Sequence, residues 1–441
     1  MESHINWYHN VMSLIRNWYF VQASPNDARA RKMVFDDELM GQLIRFVSSH
    51  EVGHTLGLRH NFGSSSTVPV EKLRDKAWVE ANGHTPSIMD YARFNYVAQP
   101  EDSIGPKGIF PRIGDYDNWA IEWGYRRFPE YSSPTAEKSS MNKWVMGKMK
   151  NKRNWFGDGE SNRDDPRNQS EQVGDDAVKG SLYGIKNLKR ILPNLIDWTK
   201  ESNEDYSNLD MMYGEVTTQF NRYNNHVVRT IGGIMKTPKV TEEPGVVYET
   251  VSKAQQKEAI NYLNQNLFKT PEWLFNNDIY SKTGKNSLDV VGDLQEGILN
   301  NLFRANTLNH LVEAATFPGP DSYSIPEMLA DLKKGVWSEL PAHKSIDIYR
   351  RQLQKNYIDK IDLLLNPPPV KIAEGPAFGR GGNAAPAPDN DFVDVQSSLR
   401  AHLTLLKSEI NAAAAVSTDQ MTKIHLKEMS RRIEKALDPK N

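Results

Sequence analysis

One short stretch constrains this 441-residue chain more than any other: His50-Glu51-Val52-Gly53-His54-Thr55-Leu56-Gly57-Leu58-Arg59-His60, which spells H-E-x-x-H-x-x-G-x-x-H. On a helix, residues four apart project from one face about one turn apart, so His50 and His54 can grip a single ion. Gly57 supplies the left-handed turn that ends such a helix, which lets His60 swing back as a third ligand. Three neutral imidazoles at ~2.0–2.1 Å leave a fourth position open for water, the arrangement of a catalytic rather than a structural zinc. Glu51, one step round the helix, is placed to hold that water and accept its proton instead of ligating.

Composition narrows what else can supply chemistry. Cysteine is absent, so disulfides, thiolate nucleophiles and Cys-ligated metals are excluded, and any metal must sit on His, Asp or Glu. With 54 Lys+Arg against 56 Asp+Glu the net charge is -2, which lacks the basic excess that drives binding to nucleic acid. No apolar run approaches the ~20 residues needed to span a bilayer, and the N-terminus does not read as a signal peptide.

Periodicity predicts a helix over about 4–22 behind a Ser3 N-cap. A second begins near Asp36, with Phe35 and Met40 as a hydrophobic staple and Leu39, Leu43, Val47, His50 and His54 along one side. Residues 61–130 read as irregular chain with short helices, and the polar, charged stretch 131–172 reads as a linker or long loop. Helical periods then dominate: about 174–200, 204–236, 253–268, 291–315, 325–338, 344–365, 392–413 and 417–437. Residues 245–251 have strand character without an evident partner, and the Gly/Pro/Ala-rich segment 366–391 reads as a flexible loop. No internal repeat is seen.

Ser87-Ile88-Met89-Asp90-Tyr91 resembles the Met-turn of the metzincin metalloproteases. The resemblance implies that Met89 forms a hydrophobic floor beneath the ligands. It also implies, from the astacin and serralysin branches, that Tyr91 donates its hydroxyl to a developing oxyanion. With the run from Ile113 to Tyr125, and weaker likeness through Gly174-Asp175-Asp176-Ala177 and Tyr183-Gly184-Ile185-Lys186-Asn187-Leu188, the chain resembles the bacterial Met-zincin family of zinc-dependent metalloproteases. The resemblance implies a zinc cofactor on His50, His54 and His60, Glu51 and Tyr91 as catalytic groups, a peptide or protein substrate, and a periplasmic or extracellular setting. A metzincin also carries a sheet ahead of its active-site helix. The residues before His50 read as two helices, so the chain is expected to be the C-terminal portion of a longer protease with its sheet upstream.

The expected fold is therefore mainly α. Residues 1–130 form the zinc-binding part of a metzincin-like catalytic domain (active-site helix and Met-turn), 131–172 a linker, and 173–441 a helical C-terminal domain. Two other functions stay open: a zinc amidase acting on cell-wall or glycan-linked peptides, and a non-catalytic, zinc-stabilised binding protein. His4 and His9, five apart, read as surface or packing residues, and His84, His226, His310, His343, His402 and His425 as solitary and solvated. Asp90 can bond a ligand histidine or steady the Met-turn, a service a backbone carbonyl could render equally well. Asp115 and Asp117 read as caps of the following helix, and the basic segments near 147–153 and 429–435 as solvated surface.

Overall fold

The computed structural model describes residues 4–317, 322–368 and 394–438. It is mainly helical, as expected, and divides into two compact units. The first comprises Met1–Val227, Met235–Glu249 and Trp273–Lys285; the second comprises Val228–Ile234, Thr250–Glu272 and Asn286–Asn441.

In the first unit, α1 (His9–Ala23) begins later than expected, because residues 4–8 are not helical and Tyr8 is extended; Ser3 lies outside the described residues. Ile15, Tyr19, Phe20 and Ala23 are buried where α1 packs on α2 (Asp37–Thr55) and α7 (Ala177–Ile191). Between α2 and α7 run α3 (Lys76–Asn82), the single turn α4 (Pro106–Ile109), α5 (Asp115–Tyr125) and α6 (Pro134–Met149), joined by irregular chain. This irregular chain is held by polar side chains. Asn95 Nδ2, for example, donates to the carbonyls of Leu73 (2.9 Å) and Gly108 (3.1 Å), so buried backbone acceptors are satisfied without a ladder.

The linker expected over 131–172 is a correction. Ser133 accepts from Ala136 N at 3.2 Å and Pro134 opens α6, a helix with no buried residue, so its polar composition reflects a surface helix. The chain beyond it is packed: Asp165, Asn168, Gln169, Glu171 and Gln172 are buried, and Gln169 Nε2 donates to the carbonyl of His226 at 2.9 Å. The border expected at 173 also falls inside the first unit. There Asn187 of α7 donates to the carbonyls of Tyr96 (2.9 Å) and Ala98 (2.8 Å), and α8 (Leu195–Thr199) leads into α9 (Ser207–Val228). The helix expected to 236 stops at Val228. Gly232 then takes a positive φ of 68°, and β1 (Ile234–Lys236) pairs with β2 (Tyr248–Thr250), the strand foreseen without a partner.

Apart from α11 (Asn277–Thr283), which belongs to the first unit, the remaining helices build the second. They are α10 (Lys253–Leu263), α12 (Ser287–Leu302), α13 (Ala305–Glu313), α14 (Ile325–Val336), α15 (Glu339–Ala342), α16 (Ile348–Leu365), α17 (Val395–Val416) and α18 (Gln420–Leu437). Leu353, Tyr357, Ile358 and Ile361 of α16 are fully buried against α12, α17 and α18, each such aliphatic side chain contributing ~1.5–3 kcal/mol. Beyond residue 368, the loop foreseen over 366–391 lies outside the described residues. Among the described residues no helix is long and apolar enough to cross a membrane.

Candidate metal centre

Local rules set α2 in place. Asp36 Oδ1 accepts from Leu39 N at 2.9 Å, Asp37 and Glu38 sit in the first turn where the helix dipole favours acids, and Leu39, Leu43, His50 and Gly53 form the buried side. The helix ends in a Schellman reversal. Gly57, at φ 85°, donates to the carbonyl of His54 at 2.9 Å, and Leu58 N reaches back to the carbonyl of Gly53 at 3.1 Å. The reversed chain brings the His60 ring to 4.6 Å from His54 and 5.2 Å from His50, with His50 and His54 4.8 Å apart, centroid to centroid.

Each imidazole turns Nδ1 onto an oxygen: the Ile88 carbonyl for His50 (2.8 Å), the Leu58 carbonyl for His54 (2.9 Å) and Glu160 Oε1 for His60 (2.7 Å). These acceptors require the hydrogen on Nδ1, which leaves a lone pair on each Nε2. With both rings neutral, Nε2 of His54 and Nε2 of His60, facing each other at 3.1 Å, have no hydrogen between them, and the buried Nε2 of His50 has no partner. A shared cation relieves all three. The ligand atoms lie within 4.8 Å of one another, and Zn–N bonds of ~2.0–2.1 Å need separations of roughly 3.4 Å, so the trio could hold zinc after small ring movements. Burial pulls the His50 pKa down to about 4, opposed by the hydrogen bond to Ile88 and helped by the neighbouring histidines, which keeps the ring neutral and ready to ligate.

Beneath the trio lies the turn from Ser87 to Tyr91. Asp117 of α5 is buried, and its carboxylate accepts from Ser87 Oγ (2.6 Å), Ile88 N (2.8 Å) and Gly114 N (2.8 Å). It caps its helix as expected and also pins the carbonyl that orients His50. Met89 is fully buried, and a Cβ built on Gly53 would come 2.3 Å from its Sδ, so the thioether lies directly against α2 between the two helical histidines. Asn61 N donates to the Met89 carbonyl at 2.9 Å, tying the chain after His60 to the same turn. Asp90 accepts from Ser65 N (2.6 Å) and Thr85 Oγ1 (2.5 Å), so of its two expected roles it takes that of steadying the turn.

The sequence profile of the Met-zincin family matches residues 32–344, well over half of the chain. This chain belongs to the Met-zincin family. No curated protein and no solved structure matches. Membership and the three-histidine group together point to zinc and to metalloprotease-like chemistry.

Around this Met-zincin centre, Tyr91 stands at φ 54° with its ring edge-on to His50 (5.0 Å) and His60 (4.8 Å). A non-glycine residue keeps that backbone only when its surroundings enforce it. Glu171 N donates to the Tyr91 carbonyl at 3.1 Å, while the Glu171 carboxylate is buried against Arg93 (2.8 Å), itself at φ 53°, and Arg222 (3.0 Å). Burial raises the Tyr91 pKa, and the charge of half-buried Glu51 adds to that rise, so the phenol stays protonated.

Glu160 was not foreseen: it lies 100 residues from His60, beyond any local spacing signal. Its carboxyl is held below the ordinary range, first by the His60 hydrogen bond. The solvated role expected for six other histidines is corrected for His84, His226 and His425, which are buried, while His343 is exposed as expected. Asp115 pairs with Arg153.

Proposed function

We propose that this chain is a zinc-dependent metalloendopeptidase in which Nε2 of His50, His54 and His60 hold the metal. Bound there, zinc supplies a Lewis acid for the scissile carbonyl and lowers the pKa of a bound water from ~15.7 to about 7. Glu51 takes the proton of the attacking water and hands it to the departing amine, which needs a carboxylate beside the ligands and not among them. Tyr91, protonated and edge-on to two ligand rings, donates to the oxyanion. Met89 and Asp117 do no chemistry; they hold the floor and the Ile88 carbonyl that aims His50. The substrate is a peptide or protein, met outside the cytoplasm.

The observation that carries the reading is the convergence of three Nε2 atoms whose Nδ1 partners are all committed to oxygens. Its test is hydrolysis of quenched peptide and casein by the full, zinc-loaded chain. Glu51→Gln should lower kcat by ~10²–10⁴-fold while one zinc per chain is retained. Undiminished turnover in that variant overturns the assignment.

A further inference from the structure

The three imidazoles are not held alike. His50 and His54 rest on backbone carbonyls, one from the Met-turn and one from the reversal that follows α2. His60 rests on a carboxylate from a loop far along the chain. That loop is built for the contact. Asp158 Oδ1 accepts from Glu160 N and Ser161 N, both at 3.1 Å, which turns the chain at Glu160. A Cβ on Gly159 would sit 2.4 Å from Phe62 Cδ2, so the loop lies hard against Phe62, whose ring stacks on His60 at 5.1 Å and 16°. Arg59 Nη2, next to His60 in sequence, donates to Glu160 Oε2 at 3.2 Å and to Asp158 Oδ1 at 3.2 Å. One carboxylate oxygen therefore serves His60 while the other is occupied by Arg59.

We propose, resting on the zinc reading above, that Glu160 is a positioning residue of the metal centre: it fixes His60 as the Nδ1–H form aimed at His50 and His54, and Arg59 holds it there. A charged acceptor binds an N–H more strongly than a carbonyl does and makes the imidazole a better donor to a metal, so Glu160 sets the affinity of the site. The contact stands at the Nδ1 edge of the ring, so Glu160 orients a ligand without being one.

The test is a zinc titration of the full chain against a chromophoric chelator, repeated with Co²⁺ to read the visible spectrum. Glu160→Ala should weaken zinc binding ~10–100-fold at unchanged stoichiometry and alter the cobalt spectrum. Glu160→Gln, which keeps a neutral acceptor like those of the other two histidines, should recover part of the loss, and Arg59→Ala should cost less than either. His54→Ala in the same assay reports on the zinc reading itself and should abolish binding. Wild-type affinity and an unchanged cobalt spectrum in both Glu160 variants overturn the proposal while leaving the zinc reading intact. A wild-type chain that takes up no zinc overturns both.

Discussion

Both units bury histidines, and they do so to opposite ends. In the second unit, His402 Nε2 meets the Tyr357 hydroxyl at 2.7 Å and His425 Nε2 meets Gln354 Oε1 at 2.9 Å, each ring paired with one neutral neighbour of its own. In the first, three rings spend their Nδ1 atoms on oxygens and point what remains at one another. Burial depresses the pKa in both places, to about 4 for His50 and His402 alike, so a shifted imidazole does not distinguish a site from a packed core. What distinguishes it is lone pairs left over and brought together. The scaffolds differ in the same sense. The second unit is held by apolar faces of long helices, while the site is held by side chains such as Asp90 and Asp117 bonding to irregular backbone.

The comparison breaks most visibly on metal. His54→Ala should remove measurable zinc from the full chain, because it deletes the ligand that faces both partners. His425→Ala, at a more deeply buried ring, should leave one zinc per chain and cost stability instead, at a few kcal/mol for the cavity and the orphaned Gln354 amide. Metal content by atomic emission and the denaturant midpoint decide the matter; zinc lost equally from both variants would mean that the first unit's trio is not the site.

Acid should bring out what the two units share. His84 in the first and His425 in the second both have pKa values lowered from 6.5 to about 3, chiefly by burial; Arg112 adds to the effect for His84, and Lys355, Arg351 and Arg432 add to it for His425. The folded chain takes these protons only near pH 3, whereas the unfolded chain takes them near 6.5. Between those values the unfolded state holds more protons, so stability is complete above 6.5 and lost as the pH falls, at ~1.4 kcal/mol per pH unit for each ring. Replacing either residue by Asn should make the acid slope of the zinc-free protein shallower by about one proton. An unchanged slope in both variants would show that neither ring stays neutral in the fold.

How much of this could be read from residues alone follows the reach of each signal. The cap at Asp36, the helix it starts, the reversal at Gly57 and the clustering of three histidines all lie within one local segment, and spacing reveals them. The partnership of Glu160 with His60, the thioether of Met89 under Gly53 and the grip of Asp117 on the Met-turn depend on chain brought from far away, which no period encodes. Helix α6 was missed for a different reason: with no buried residue it has no apolar stripe, although Ser133-Pro134 was a legible start. The border between units was misplaced because α7 and α9 carry the same helical periodicity as the second unit while packing within the first. Gly232-Gly233 was the visible sign that α9 ends before the strand.

The smallest effect is also the one that differs in sign between the units. Gly57 sits at φ 85° with nothing within 4 Å of a built Cβ, so Gly57→Ala meets no clash and pays only the left-handed backbone penalty of ~1–2 kcal/mol. Gly297 lies inside α12 of the second unit, also with nothing within 4 Å. There Ala restricts the unfolded chain and fits the helix, so Gly297→Ala should stabilise by roughly 0.5–1 kcal/mol. Denaturant midpoints of the zinc-free variants should therefore move in opposite directions. The Gly57 variant should also bind zinc more weakly, because any relaxation of that turn carries His60 away from His50 and His54; the Gly297 variant should bind it as the wild type does. If both midpoints rise, the reversal at Gly57 does not use the left-handed conformation, and the route by which the third histidine returns to the helix must be drawn differently.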